Sequence, residues 1–252
     1  MPRSLMSVLA QRSLEPELMD GIGLQDAALH ARCLADLATV NRVTLAHRPV
    51  LRFLTQAWAQ RPAGEAVSVL DVGCGHGDLL RAIRRLAEAQ QRPARLQGID
   101  LHPHSTAAAR AATPPAMAID YVTADVFAWQ PERTDFIVSS QVAHHLDDAQ
   151  LRALLQWLMR HARHGWCVAD LRRHWFPYLG FRWLARLAGW HRVVRLDGTL
   201  SIARSLTPAD WRRLLADAGL EAQGAQPVQI VRYVPFRLAV QWLGAAALRR
   251  AA

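Results

Sequence analysis

The stretch Val69-Leu-Asp-Val-Gly-Cys-Gly-His-Gly-Asp78 constrains the fold more than any other part of the chain. An apolar run from Val67 to Val72 suits a buried strand, Gly73, Gly75 and Gly77 follow at every second position, and a helical pattern begins near Asp78. Glycines let the backbone turn sharply and let a ligand approach it, while a helix N-terminus offers free N–H groups to a negative group. A dinucleotide fingerprint, G-x-G-x-x-G, would need glycine at 78 or 80, where Asp78 and Leu80 stand. A bare strand-to-helix turn would need one glycine, not three behind an acid.

Downstream, helical and strand-like segments alternate. Helices are expected over Gly77–Gln90, Pro103–Ala112 and Asp147–Arg163, and strands over Leu96–Asp100, Ile119–Thr123, Phe136–Ser140 and Trp166–Leu171. Such alternation predicts an α/β fold, a mostly parallel sheet with helices on both faces. Thr207-Pro208-Ala209-Asp210 starts a further helix that Gly219 closes. Strands over Glu221–Gln226 and Gln229–Val234 are expected to pair as a hairpin across Pro227, and a C-terminal helix is expected within Pro235–Arg250. Before the glycine segment, Gln25–Arg61 reads as helical, with Leu29, Cys33, Leu37 and Val40 on one face and Pro49 opening a second helix. Pro62, Ala63 and Gly64 end that part, dividing the chain into an N-terminal helical cap, 1–64, and an α/β domain, 65–252, with an insertion over about 172–206.

The composition is that of a folded protein, 51% hydrophobic and 20% charged. All 30 basic residues are arginine, which excludes Schiff-base and phosphate-loop lysine chemistry. A formal net charge of +9 predicts attraction to an anionic partner: nucleic acid, lipid head groups, an acidic carrier protein or an acidic substrate. Cys33, Cys74 and Cys167 are scattered, so neither a disulfide framework nor a metal site is expected. No secretory leader or spanning run is read in the sequence, so the expected location is cytoplasmic, with contact at the inner face of the membrane left open.

Asp71 to Gly77 resembles motif I of class I S-adenosylmethionine-dependent methyltransferases, and the later strand ends match that family in order. Gln97-Gly-Ile-Asp-Leu101 ends the second strand with Asp100, the acid that in the family holds the ribose hydroxyls. Ala124-Asp-Val-Phe127 ends the third with Asp125, which resembles the acid beside the adenine. The resemblance covers roughly Val67 to Val234 and implies a Rossmann-like seven-stranded sheet with its last pair antiparallel. It also implies S-adenosylmethionine as methyl donor, S-adenosylhomocysteine as product, and the methionine carboxylate at the glycine turn. The cofactor contacts it implies are Asp71, Gly73, Cys74, Gly75, Gly77, Asp100, Leu101, Asp125, Val126 and Gln141.

Ser139-Ser-Gln-Val-Ala-His-His-Leu146 follows the fourth strand and resembles the "His-His-Leu" segment of ubiquinone- and menaquinone-biosynthesis methyltransferases. His144 or His145 could take a proton from an acceptor hydroxyl, or could pack on the cofactor or cap the next helix. Asp170 ends the fifth strand in Val168-Ala-Asp-Leu-Arg-Arg173 and reaches the same edge of the sheet. There it could orient a catalytic histidine, act as the base, or pair with Arg172 or Arg173. A phenol of pKa about 10 is roughly three units from ionised at neutral pH, a deficit of about 4 kcal/mol. One base contributing about 10² to 10⁴-fold covers much of it, which favours histidine-assisted O-methylation over methylation of carbon or nitrogen.

The insertion carries six arginines from Arg172 through Arg195 and no acid before Asp197. As a lid, it is expected to line an apolar acceptor pocket with Trp175, Phe176, Tyr178, Phe181 and Trp183, although it could also lie on a membrane or pack on its own sheet. The N-terminal cap, the "Asp-Leu-Arg-Arg" strand end and the arginine-rich insertion resemble those of methyltransferases from bacterial clusters that build polyketide-like lipids. The leading expectation is O-methylation of an apolar phenolic, quinol or polyketide-like small molecule, which an acidic carrier protein could present. RNA is a less favoured acceptor, because no Asn/Asp-Pro-Pro-Tyr/Phe motif follows the fourth strand. The third alternative is a non-catalytic, cofactor-binding adaptor at a membrane or protein surface.

Overall fold

The parallel order expected from the alternation is present in a sheet whose strands are β1 (Val67–Val72), β2 (Ala94–Asp100), β3 (Ile119–Thr123), β4 (Thr134–Ser140), β5 (Ala162–Leu171), β6 (Gln229–Tyr233) and β7 (Arg237–Leu243). The structure, a computed structural model, describes residues 9–19, 26–131, 134–220 and 227–244. The spatial order is β3-β2-β1-β4-β5-β7-β6, with β7 antiparallel to both β5 and β6 and the other pairs parallel.

Eight helices accompany the sheet among the described residues: α1 (Ala27–Val43), α2 (Arg48–Ala59), α3 (Asp78–Ala89), α4 (Pro103–Ala112), α5 (Asp148–His161), α6 (Trp175–Leu187), α7 (Arg192–Arg204) and α8 (Pro208–Asp217). Two have capping boxes that fix their starts, Asp147 with Gln150 for α5 and Thr207 with Asp210 for α8.

Successive strand residues point to opposite faces, and both faces are covered. Leu70, Val72, Ile137, Trp166, Val168, Leu238 and Val240 meet α5 and α8 on one side. Val67, Val69, Phe136, Val138, Cys167 and Ala239 meet α2, α3 and α4 on the other. Helix α2 is therefore part of the sheet's packing: Phe53, Leu54 and Trp58 are fully buried in it, although Pro62 to Gly64 mark a break in the sequence. Helix α1 rests on α4 and α7, with Cys33 and Val40 packed against Val193 and Val194.

The C-terminal part differs from the sequence expectation. The hairpin turns over Val234, Pro235 and Phe236 instead of Pro227, and the segment expected to be helical carries β7. Strand β7 is buried on both faces from Arg237 to Gln241, so Leu238, Ala239 and Val240 follow one another without the alternation of a half-exposed strand and read no differently from part of a buried helix. The expected strand Glu221–Gln226 and positions 245–250 of the expected helix lie outside the described residues.

Candidate active site

The glycine turn joins β1 to α3 with Gly73, Gly75 and Gly77 all at positive φ. At Gly73 a side chain would collide with Val142, and at Gly77 with the Tyr121 hydroxyl. Gly75 differs, because a Cβ there would meet only Leu34 of α1, at 3.8 Å, so the turn keeps open space above its middle residue. Burial pushes the Cys74 thiol far up, which makes it a packing group under the turn rather than a nucleophile.

Carboxylates surround the turn. Asp71, at the end of β1, is buried, and its Oδ1 has no hydrogen-bond partner among the described residues. Burial raises its pKa well above the usual carboxylate range, and the nearby Asp78 and Asp100 add to the rise. Asp100, at the end of β2, accepts from the Gly75 N–H at 2.9 Å and the His102 N–H at 3.0 Å. Leu101 beside it is exposed; Asp125 is exposed and accepts from the Phe127 N–H, with Val126 half-buried between them.

The cap is tied to this turn by polar side chains. Asn41 donates to Asp78 at 3.0 Å, and His47 Nε2 lies 2.9 Å from the same carboxylate. Burial pushes Asp78 up, but His47 and Asn41 outweigh it and hold the pKa low. Gln141 donates to Asn41 and accepts from Arg237 at 2.9 Å, and Arg237 also donates to Thr44 at 2.7 Å. Burial brings the Arg237 guanidinium down to about 10 despite attraction to Asp170.

Ends of β4 and β5 meet in a buried histidine–carboxylate array. Asp170 contacts His144 Nδ1 at 2.8 and 3.0 Å and accepts from the His144 backbone N–H at 2.9 Å. Burial alone would raise the Asp170 pKa, but the His144 ring and the backbone N–H groups of Leu171 and His144 reverse the shift and leave it lowered. On the other side, His144 Nε2 is 3.6 Å from Glu17 Oε1, and His145 Nε2 is 3.9 Å from Glu17 Oε2. His144 is buried whereas a third of the His145 side chain is exposed. These three side chains are close enough for one ion, but Glu17 already accepts from Ser201 at 2.9 Å and lies 3.8 Å from Arg204, whose charge opposes a cation there.

Arg12 and Arg204 hold the histidine turn from outside. Arg12 donates to the carbonyls of Ala143, His144, Leu146 and Arg204 at 2.6 to 3.2 Å, and Arg204 donates to those of His144 and His145 at 3.0 and 3.2 Å. Glu17, Arg12, Asn41 and Arg204 had no local sequence signal, since each acts on residues far along the chain.

The lid aromatics do not share one pocket. Tyr178 lines a cavity of about 750 Å³ with Arg12, Arg182, Arg186, Arg192 and Arg195, while Phe181 stacks on Trp190 with ring centroids 5.9 Å apart. Trp175, Phe176 and Trp183 are turned outward. The residues facing inward from α6 are at a different helical phase from those three, and only the structure tells which phase faces in. A second cavity, of about 640 Å³, reaches His76 and Asp78 of the turn and Asn41 and His47 of the cap.

Strand order, glycine turn and strand-end carboxylates together define a Rossmann-like methyltransferase fold. A family profile described as "Methyltransferase domain" matches residues 69–165. A trans-aconitate 2-methyltransferase of Mycobacterium ulcerans is 27% identical over 206 residues, 80% of this chain and 72% of that protein. A ubiquinone biosynthesis O-methyltransferase of Bartonella quintana is 27% identical over 161 residues, 62% of this chain and 61% of that one. Among solved structures, the plantazolicin methyltransferase BpumL with S-adenosylhomocysteine superposes with a TM-score of 0.62 at 14% identity, covering 89% of this chain and 97% of that one. Human N-acetylserotonin methyltransferase with S-adenosylmethionine gives 0.60 at 16% identity, covering 94% and 64%. Residues 69–165 carry a methyltransferase domain, and the chain is an S-adenosylmethionine-dependent small-molecule methyltransferase.

Proposed function

We propose that the chain methylates an oxygen of an apolar small molecule, a phenolic, quinol or polyketide-like hydroxyl, with His145 as the base. The observation that carries this reading is the array of Asp170, His144, Glu17 and His145 at the ends of β4 and β5. His144 is buried with both ring nitrogens facing carboxylates, so it is a positioning residue, as is Asp170. His145 keeps an exposed edge and is the one with access to an acceptor. Its neutral imidazole takes the hydroxyl proton as the oxygen is methylated, and Glu17 stabilises the charge that develops on the ring. Relatives include a protein named a ubiquinone biosynthesis O-methyltransferase, which supports oxygen as the acceptor atom.

The residues of the glycine turn fit the methyl donor. S-adenosylmethionine supplies an electrophilic methyl on a sulfonium. The orphaned Asp71 Oδ1 suits its ammonium group, the open space above Gly75 and the start of α3 suit its carboxylate, and Asp100 suits the ribose hydroxyls. Gly73 and Gly77 shape the turn and Cys74 fills it from below. Leu101, Asp125 and Val126 flank the adenine side. Gln141, held by Asn41 and Arg237, ties the cap to the cofactor cleft.

The test is product formation from S-adenosylmethionine with panels of phenols, quinols and carboxylic acids, read by mass spectrometry. Methyl ethers are expected, with His145→Ala turning over at least about 10²-fold more slowly while still binding S-adenosylhomocysteine in calorimetry. Methyl esters alone, or undiminished turnover in His145→Ala, would remove the base assignment.

A further inference from the structure

Helix α6 has two faces of opposite fate. Inward, Ala185 is fully buried and Phe181 crowds Gly198 of α7. Outward, Trp175, Phe176, Leu179, Trp183, Leu184 and Leu187 are 38 to 86% exposed. Trp175, Leu179, Trp183 and Leu187 recur at every fourth position and form one continuous stripe. Single exposed apolar side chains are ordinary on a protein surface, but six on one short helix make a contiguous patch, which marks an interaction site.

The patch has a charged border. Arg182 and Arg186 lie at one edge of the stripe and join Arg192 and Arg195 of α7 around the 750 Å³ cavity, whose only acidic lining residue is Glu15. None of these four guanidinium groups makes a hydrogen bond or ion pair with a described residue. No acid occurs from Arg172 through Leu196.

The two features select the occupant. A second copy of this chain, packed stripe to stripe, would bring two arginine clusters together, a like-charge contact that costs affinity. A neutral apolar surface would leave the guanidinium groups unneutralised. An anionic bilayer answers both, since tryptophan and leucine settle at the boundary of headgroups and acyl chains while arginines meet lipid phosphates.

We propose that the outer face of α6, with Arg182, Arg186, Arg192 and Arg195, docks the chain on an anionic lipid bilayer. The helix lies in the plane of the interface. It begins just after β5, whose end carries Asp170, so docking holds that end of the sheet near the lipid. Docking does not rest on the proposed reaction. If that reaction is right, the orientation brings an apolar acceptor from the bilayer to the site.

Co-sedimentation with lipid vesicles tests the proposal. The native chain is expected to pellet with vesicles of phosphatidylglycerol and phosphatidylethanolamine, to stay in solution with phosphatidylcholine alone, and to be released by high salt. Each arginine near an anionic surface is worth about fivefold in partition. Arg182→Gln with Arg186→Gln is therefore expected to lower partition more than about tenfold. Trp183→Ser with Leu187→Ser should do the same, with thermal melting unchanged because both side chains point outward. Failure of the native chain to pellet with anionic vesicles overturns the proposal, as does equal binding to phosphatidylcholine. So does binding that the arginine pair weakens but the Trp183 and Leu187 pair does not, because that is the behaviour of a soluble phosphate site. A dimer in sedimentation velocity that Trp183→Ser with Leu187→Ser disperses also overturns it, in favour of a second copy.

Discussion

His144 Nδ1 stands 2.8 and 3.0 Å from the two oxygens of Asp170, and the His144 backbone N–H donates to the same carboxylate, so one strand-end acid fixes both the ring and the chain of the histidine turn. This contact makes Asp170 a stability residue as well as a positioning one. Its pKa is lowered in the fold, so its contribution is present above the unfolded value and lost as pH falls through the folded one. Asp170→Asn is expected to cost about 3 to 5 kcal/mol near pH 7, the scale for breaking a buried pair. The gap to the native chain should narrow below about pH 4, where the unfolded carboxyl is protonated. Denaturant unfolding at pH 7 and pH 3 measures both.

Asp71 has the opposite sign. Its pKa is raised, so the folded chain binds more protons than the unfolded one above the usual carboxylate value, and stability falls as pH rises toward the folded value. Asp71→Asn should therefore melt higher than the native chain near pH 7 when no cofactor is bound, and bind S-adenosylmethionine more weakly. A lower melting temperature with unchanged affinity would show that Asp71 is structural only.

Two glycines of one turn should respond differently to alanine. Gly75→Ala meets only Leu34, so its cost is the backbone strain of a positive φ, about 1 to 3 kcal/mol. Gly77→Ala has the same strain and also collides with the Tyr121 hydroxyl, adding about 1 to 3 kcal/mol of overpacking. Thermal melting ranks the two. Calorimetry should find cofactor binding lost in Gly75→Ala even though it remains folded.

Arg12 reaches the histidine turn from the N-terminal segment. Arg12→Met removes the donors to the carbonyls of Ala143, His144 and Leu146, a loss of about 1 to 3 kcal/mol, and loosens the loop that carries His145. Turnover should fall while the KM for S-adenosylmethionine stays near the native value, because no Arg12 contact reaches the glycine turn. A parallel rise in that KM would show that the loop and the cofactor cleft move as one.

The sheet was legible because β1, β2 and β4 are short, largely apolar runs ending in Val72, Asp100 and Ser140, each followed by turn chemistry. The glycine segment and the helix start at Thr207 were legible because their signals are local. Glu17 was not, because its link to His144 comes from tertiary packing and no motif carries it. The outward aromatics of α6 show a second limit: periodicity reveals that a helix has two faces but not which one the fold covers. At β7 a doubly covered strand lost the alternation that would have named it.

The placement of β7 has a consequence during synthesis. This strand follows every described helix in sequence, yet it pairs along β5 from Gly165 to Leu171 and separates β5 from β6. Until the ribosome has passed Leu243, β5 presents an unpaired edge of N–H and C=O groups, a template for pairing with another chain. The nascent protein is thus most exposed to misassociation just before its last described strand emerges, and any truncation ahead of Arg237 preserves that exposure.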